Sequence, residues 1–202
     1  KKFKEFEQLS SVNSGLIKPE RIVKELNNLL PEDTYIIVDP GTPCPYFAAY
    51  YKFKKSGRYF LTNRAHGALG YALPAAIGVQ IAKPKNKTVS IMGDGSFGFA
   101  VGELETALRL KLPIIFIVIS NSVYGWIKAG QKTKFDKRYF SVDFTRTDHF
   151  KVAAAFGLKS WKVEKPGDLK KIILQALKYK KGPCLIDIIS QPLQDANAPV
   201  SE

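Results

Sequence analysis

The sequence predicts an α/β protein: a doubly wound, mainly parallel six-stranded sheet flanked by helices. Three observations lead there. Apolar runs of strand length recur along the chain, stretches with helical spacing of apolar residues fall between them, and several of the runs end abruptly in Gly, Asp, Asn, Ser or Thr. A strand, a helix and a second strand joined by a right-handed crossover lie parallel, with their carboxyl ends on one side.

The elements follow in order. Lys1 to Leu9 has apolar residues at Phe3, Phe6 and Leu9, spacing that suits a short helix, and residues 10–15 (SSVNSG) have linker composition. Residues 1–15 therefore read as a linker or the end of a preceding domain, residues 16–190 as one domain, and residues 191–202 as a polar tail that frays. Pro19 opens a helix whose apolar side is Ile22, Val23, Leu26, Leu29 and Leu30, and Pro31 stops it. Tyr35–Val38 is a buried strand running into the turn Asp39-Pro40-Gly41-Thr42-Pro43. Pro45–Phe53 suits a helix and Arg58–Thr62 a strand, with Gly57 as the break between them. Residues 63–78 (NRAHGALGYALPAAIG) are rich in Gly and Ala, which permits close backbone approach to a ligand or another element; the regular helix is expected from about Leu73.

Two further strands, Val89–Met92 and Pro113–Ile119, flank a helix beginning near Glu103. Gln131–Arg146 lacks a clean period and reads as a long loop. Asp148 is placed to cap a helix through Ala155, Lys159–Val163 reads as a strand, and Pro166-Gly167-Asp168 starts a helix with Leu169, Ile172, Ile173, Ala176 and Leu177 on one face. Cys184–Ile189 is the last strand.

At 202 residues, 45% hydrophobic and 24% charged, the chain fits one globular domain with a real core. No apolar run reaches membrane-spanning length and no amino-terminal signal pattern is present, which favours a cytoplasmic protein without membrane partners. Cys44 and Cys184 are isolated, which argues against a zinc ribbon or a disulfide framework. The net charge of +13 is carried by dispersed lysines near helix ends and loops. That distribution fits solvated faces better than a nucleic-acid footprint.

The chemistry concentrates in residues 89–125, VSIMGDGSFGFAVGELETALRLKLPIIFIVISNSVYG. One strand ends in Gly93-Asp94-Gly95-Ser96 and the next in Ser120-Asn121-Ser122, so Asp94 and Asn121 fall on the rim where open α/β sheets bind ligands. A carboxylate, an amide oxygen and free carbonyls suit a hard cation such as Mg2+ with phosphate partners. No GxxxxGK[ST] is present. Gly93–Gly98 (GDGSFG) has the letters of a dinucleotide fingerprint, but Phe97 is bulky for that turn and the Asn121 strand end has no place in such a site.

The pairing of GDG with an asparagine-containing turn some two dozen residues on resembles the thiamin-diphosphate motif. Residues 63–78 resemble the matching segment of the acetolactate synthase, benzoylformate decarboxylase and pyruvate decarboxylase family. Residues 15–41 (GLIKPERIVKELNNLLPEDTYIIVDPG) resemble the entry to that family's carboxy-terminal, diphosphate-binding domain. The likeness runs from about Leu16 to Ile189.

The resemblance implies that Asp94, Asn121 and the Val123 carbonyl ligate Mg2+. It implies that Gly41, Thr42, Gly93, Gly95, Ser96 and the turn Tyr124-Gly125 surround the diphosphate of thiamin diphosphate. Leu69 would hold the cofactor bent, and the Gly67 carbonyl would accept a hydrogen bond from its aminopyrimidine ring. His66 is a candidate substrate contact, whereas His149 reads as a surface or helix-start residue. The family often has Asn-Asn where this chain has Ser120-Asn121. Its activating glutamate comes from a separate pyrimidine-binding domain, usually on a neighbouring subunit, and no glutamate here sits in an apolar strand.

The expected function is therefore half an active site for decarboxylating a 2-oxo acid or condensing its product, in a homo-oligomer. FAD would enter only through a domain outside this chain. A 2-oxoacid:ferredoxin oxidoreductase β-like subunit shares the metal motif but is disfavoured by the lack of a cysteine cluster. A basic nucleic-acid-binding module is the other alternative.

Overall fold

A computed structural model describes residues 2–192. The expected tail, 191–202, lies outside the described residues from 193 onward.

Six strands form one sheet: β1 (Tyr35–Val38), β2 (Phe60–Leu61), β3 (Thr88–Gly93), β4 (Ile115–Ser120), β5 (Lys159–Val163) and β6 (Cys184–Ile189). Their order is β2-β1-β3-β4-β6-β5, and every pairing is parallel. β4 and β6 are buried along their whole length, which is why IFIVIS and CLIDII read as near-continuous apolar runs rather than alternating ones.

The helices are α1 (Lys2–Ser10), α2 (Pro19–Leu29), α3 (Pro43–Tyr50), α4 (Ala72–Ala82), α5 (Asp94–Ala100), α6 (Glu103–Arg109), α7 (Gly125–Lys134), α8 (His149–Ala155) and α9 (Leu169–Lys178). They cover the sheet on two faces. On one, Ile36, Val38, Ile91, Ile117 and Ile186 pack with residues of α2, α3 and α9; on the other, Ile37, Met92, Phe116 and Leu185 pack with residues of α4, α6 and α8. Alternate residues of each strand thus feed opposite cores, the period-two geometry of a strand buried on both sides.

Several expectations shift. The first residues of the supposed 131–146 loop belong to α7, whose mixture of Gly, Trp, Lys and Thr hides the helical period. The GDG turn leads directly into α5, a seven-residue helix with two glycines that propensity alone disfavours. The helix expected over 45–53 begins earlier, at Pro43. Helix α1 packs on the domain body: Phe6 is buried and its ring stacks on Tyr50 at 4.5 Å between centroids.

Topology fixes where a ligand fits. The chain passes from β1 to its outer neighbour β2, then returns through α4 to β3 on the other side of β1. The loops leaving β1 and β3 therefore diverge and leave a crevice at the carboxyl end of the sheet. At one further point, Ile17 forms a parallel bridge with Ser190. There the Ile17 carbonyl accepts from the Gln191 N–H at 2.9 Å and the Ser190 hydroxyl at 3.0 Å.

Candidate functional site

The crevice is a cavity of about 300 Å³ lined by the residues that follow β1, β2, β3 and β4. Gly41 and Thr42 line it from the β1 end, Gly67 and Leu69 from the β2–α4 loop, Gly93 to Ser96 from the β3 end, and Asn121 with Val123 to Gly125 from the β4 end. His66 is exposed and is not among the lining residues.

Asp94 ties two strand ends together. Its side chain is buried, and its two oxygens accept backbone N–H groups from Gly95 at 3.0 Å, Asn121 at 2.8 Å and Ser122 at 2.6 Å. Burial pushes the Asp94 carboxyl above its usual range, against the pull of the Ser122, Asn121 and Gly95 amides and the nearby His149. Asn121 Oδ1 accepts the Val123 N–H at 3.3 Å, and Ser122 turns the chain with a left-handed φ of 57°.

The amides of the turn after β4 are used unevenly. Tyr124 N–H donates to the Val142 carbonyl at 2.8 Å and Gly125 N–H to the Val123 carbonyl at 2.9 Å. Gly95 N–H is likewise turned to Asp94. Among the described residues, the amides of Trp126 and Ile127 in the first turn of α7 have no hydrogen-bond partner, and both residues line the cavity. They are the orphan donors that every helix start leaves, here on two residues that line a ligand-sized space.

Gly95 is required by close approach. A Cβ there would sit 3.0 Å from Tyr124 Cδ1 and 3.2 Å from Tyr124 Cζ, and the Tyr124 ring is backed by Phe144 at 5.1 Å between centroids. Gly70 combines a φ of +84° with a would-be Cβ only 2.9 Å from the Phe99 Cβ. That position admits only glycine without strain.

Two groups of polar residues behind the cavity escaped the sequence reading. Asp39, fully buried after β1, accepts the N–H groups of Tyr71 at 3.2 Å and Ala72 at 3.1 Å, tying the β1 end to the start of α4. Burial raises its carboxyl, opposed by the Ala72, Tyr71 and Gly70 amides and the Ser96 hydroxyl. The second group corrects the placement of His149. It does begin α8, but it is buried, because Ser120 and Asp187 draw it in. Ser120 Oγ donates to Asp187 Oδ1 at 2.6 Å and lies 2.9 Å from His149 Nδ1. With the single hydroxyl proton committed to the carboxylate, His149 Nδ1 carries a proton and donates to Ser120 Oγ. The signal available in the sequence was Asp187 itself, one acid inside the apolar run CLIDII, where a charge persists only with partners.

Such a donor set fits a diphosphate held through a divalent cation. Asp94, Asn121 and Val123 all line one cavity and between them carry a carboxylate, an amide oxygen and a backbone carbonyl, the oxygen types a hard cation takes. Among the described residues no cluster of three or more His, Cys, Asp or Glu offers a different kind of metal site. No helix there is long and apolar enough to cross a membrane.

Comparison with known proteins agrees with this geometry. Residues 39–188 match the family described as thiamine pyrophosphate enzyme, C-terminal TPP binding domain. The chain is 37% identical over 170 residues to an acetolactate synthase of Bacillus subtilis, an alignment covering 84% of this chain and 29% of that protein. It is 34% identical to the mitochondrial acetolactate synthase catalytic subunit of Aspergillus candidus, over 87% of this chain and 26% of the relative. A probable acetolactate synthase large subunit of Methanococcus aeolicus is 31% identical, over 87% of this chain and 30% of its own length. The chain thus spans less than a third of the relatives it matches. Parallel sheet, switch-point cavity and sequence agree: this chain belongs to the thiamine pyrophosphate enzyme family, as its carboxy-terminal, cofactor-binding domain.

Proposed function

We propose that the cavity holds thiamin diphosphate through Mg2+ and supplies the diphosphate half of an active site acting on a 2-oxo acid. The observation that carries this is Asp94, a buried carboxylate on the rim that joins the ends of β3 and β4 beside Asn121 and Val123. Asp94 and Asn121 would ligate the cation by side chain and Val123 by its carbonyl. Thr42, Ser96 and the free amides of Trp126 and Ile127 would bind the diphosphate oxygens. The turn Tyr124-Gly125 contributes by aiming α7 at them, with its own amides engaged elsewhere. Leu69 and Gly67 would contact the ring end of the cofactor.

When bound, thiamin diphosphate supplies the carbanion chemistry of decarboxylation. The residues of this chain anchor it, orient it and exclude water. The activating carboxylate is proposed to come from a pyrimidine-binding domain on the same or a neighbouring polypeptide, in an oligomer, as the short span relative to the acetolactate synthases supports. Residues 16–190 form the working unit in this reading, with 1–15 a linker or the end of a preceding domain. FAD dependence, if present, belongs to another domain. Neither the ferredoxin oxidoreductase reading nor the nucleic-acid reading gains support from the fold or the relatives.

Thermal unfolding tests the proposal. Thiamin diphosphate with Mg2+ raises the melting temperature of the chain, thiamin without its diphosphate does not, and chelation of the metal reverses the shift. Equal shifts with thiamin and thiamin diphosphate refute the diphosphate assignment. Turnover of a 2-oxo acid by the chain alone refutes the half-site reading.

A further inference from the structure

One cation stands over the cavity, and among the described residues no anion is paired with it. Arg64 is exposed, lines the cavity, and lies with its guanidinium 5.0 Å from the centre of the Trp126 ring. Among the described residues it forms no hydrogen bond and no ion pair through its side chain, and no other cationic side chain lines the cavity. The contact also spans the crevice. Arg64 follows β2 and Trp126 follows β4, whereas β1 and β3 lie between those strands in the sheet. The pair therefore crosses above the loops that carry Gly41 and Asp94.

An aromatic face attracts a guanidinium without engaging its N–H groups as hydrogen bonds would, so the fork of Arg64 is left free. A fork of that kind is matched to a carboxylate, which it grips with two parallel charge-assisted hydrogen bonds. The lining holds one carboxylate, Asp94, occupied with backbone amides and assigned to the cation, so Arg64 has no anion of its own.

We infer that Arg64, held across the cleft by Trp126, captures the carboxylate of the incoming 2-oxo acid. This rests on the proposed function above and adds to it a substrate-contacting residue on this chain. The diphosphate is the competing anion. Its donors, however, are gathered at the β1, β3 and β4 ends, whereas Arg64 arrives from the β2 loop that carries Gly67 and Leu69, the proposed contacts of the ring end. Capture by a guanidinium stabilises the bound acid before its carboxylate departs, so the effect appears in binding.

Pyruvate binding to the chain saturated with thiamin diphosphate and Mg2+, followed by NMR titration, tests the inference, with uncharged methyl pyruvate as control. Arg64→Ala is expected to weaken pyruvate binding about tenfold or more, the loss that follows from removing a charged hydrogen-bonding partner. Its affinity for thiamin diphosphate stays within about twofold of wild type. Arg64→Lys keeps the charge but not the fork and falls between. Methyl pyruvate responds to neither substitution. Unchanged pyruvate affinity in Arg64→Ala, or no pyruvate binding by the loaded wild-type chain, overturns the inference while leaving the cofactor site standing. A large loss of thiamin diphosphate affinity in Arg64→Ala assigns the guanidinium to the diphosphate and also overturns it. Failure of the wild-type chain to bind thiamin diphosphate at all is read separately, and removes the proposed function together with this extension of it.

Discussion

Asp94→Ala separates the two tasks that one carboxylate performs. In the free chain it removes the acceptor for three backbone N–H groups, at 3.0, 2.8 and 2.6 Å. At roughly 1 kcal/mol net for each hydrogen bond, the gross loss is about 3 kcal/mol. Against this stands the burial that holds the carboxyl above its usual range; deleting a buried charge relieves that penalty. A net destabilisation of about 1–3 kcal/mol remains, which in a chain of this size lowers Tm by roughly 2–12 °C. The second effect is on ligand linkage. Thiamin diphosphate at a hundred times its Kd stabilises by about 2.7 kcal/mol, roughly 5–10 °C, and a variant that cannot hold the cation loses that increment. Differential scanning calorimetry of wild type and variant, with and without thiamin diphosphate and Mg2+, reads both effects. A variant with lowered Tm and an intact ligand shift refutes the metal assignment. One with wild-type Tm and no ligand shift refutes the strand-tying role.

Other expectations follow from the same geometry. Gly95→Ala forces the Tyr124 ring away from its place against Phe144, an overpacking that costs about 1–3 kcal/mol and lowers Tm measurably; a wild-type Tm would show that the ring yields freely. Glu20 is buried in α2 with Oε1 unpartnered, and burial raises its carboxyl above 4.5. A raised acid stabilises the fold in its protonated form, and that contribution is present below pH 4.5 and lost as pH climbs through the folded value. Glu20→Gln is therefore expected to raise Tm at pH 7.5 and by less at pH 4; an equal gain at both pH values would contradict the assignment to ionisation.

The parallel sheet was legible because its strands are buried on both faces and so appear as unbroken apolar runs such as IFIVIS. The rim residues were legible because strand ends must turn, and Gly93-Asp94-Gly95 and Ser120-Asn121-Ser122 carry turn chemistry immediately after such runs. Helix α7 was only partly legible, since Gly125, Trp126 and Gly130 blur its period and its placement depends on the turn at Ser122. Arg64 was hidden for a different reason. Its neighbour Trp126 is 62 positions away (126 − 64), and only the strand order brings the β2 and β4 loops to the same opening. Ser120, His149 and Asp187 likewise come from three separate elements, and local sequence does not encode their meeting. The amide donors show the same limit: the resemblance put Tyr124 and Gly125 at the diphosphate, but their N–H groups face inward to carbonyls, which no motif encodes.

The bridge between Ile17 and Ser190 gives the domain a single portal. Two segments 173 positions apart enter and leave the sheet side by side, fastened by Gln191 N–H and Ser190 Oγ to one carbonyl and by the Lys18 ammonium to Gln191 Oε1 at 2.9 Å. Entry and exit thus lie together at the carboxyl end of the sheet, the end that carries the crevice, and Ser190 N–H donates at 2.9 Å to the carbonyl of Ser120, the neighbour of Asn121. It is a cassette whose two terminals share one socket. Strain on either segment at that socket reaches the end of β4 through the Ser190–Ser120 hydrogen bond, one residue from Asn121 and its bond to Asp94.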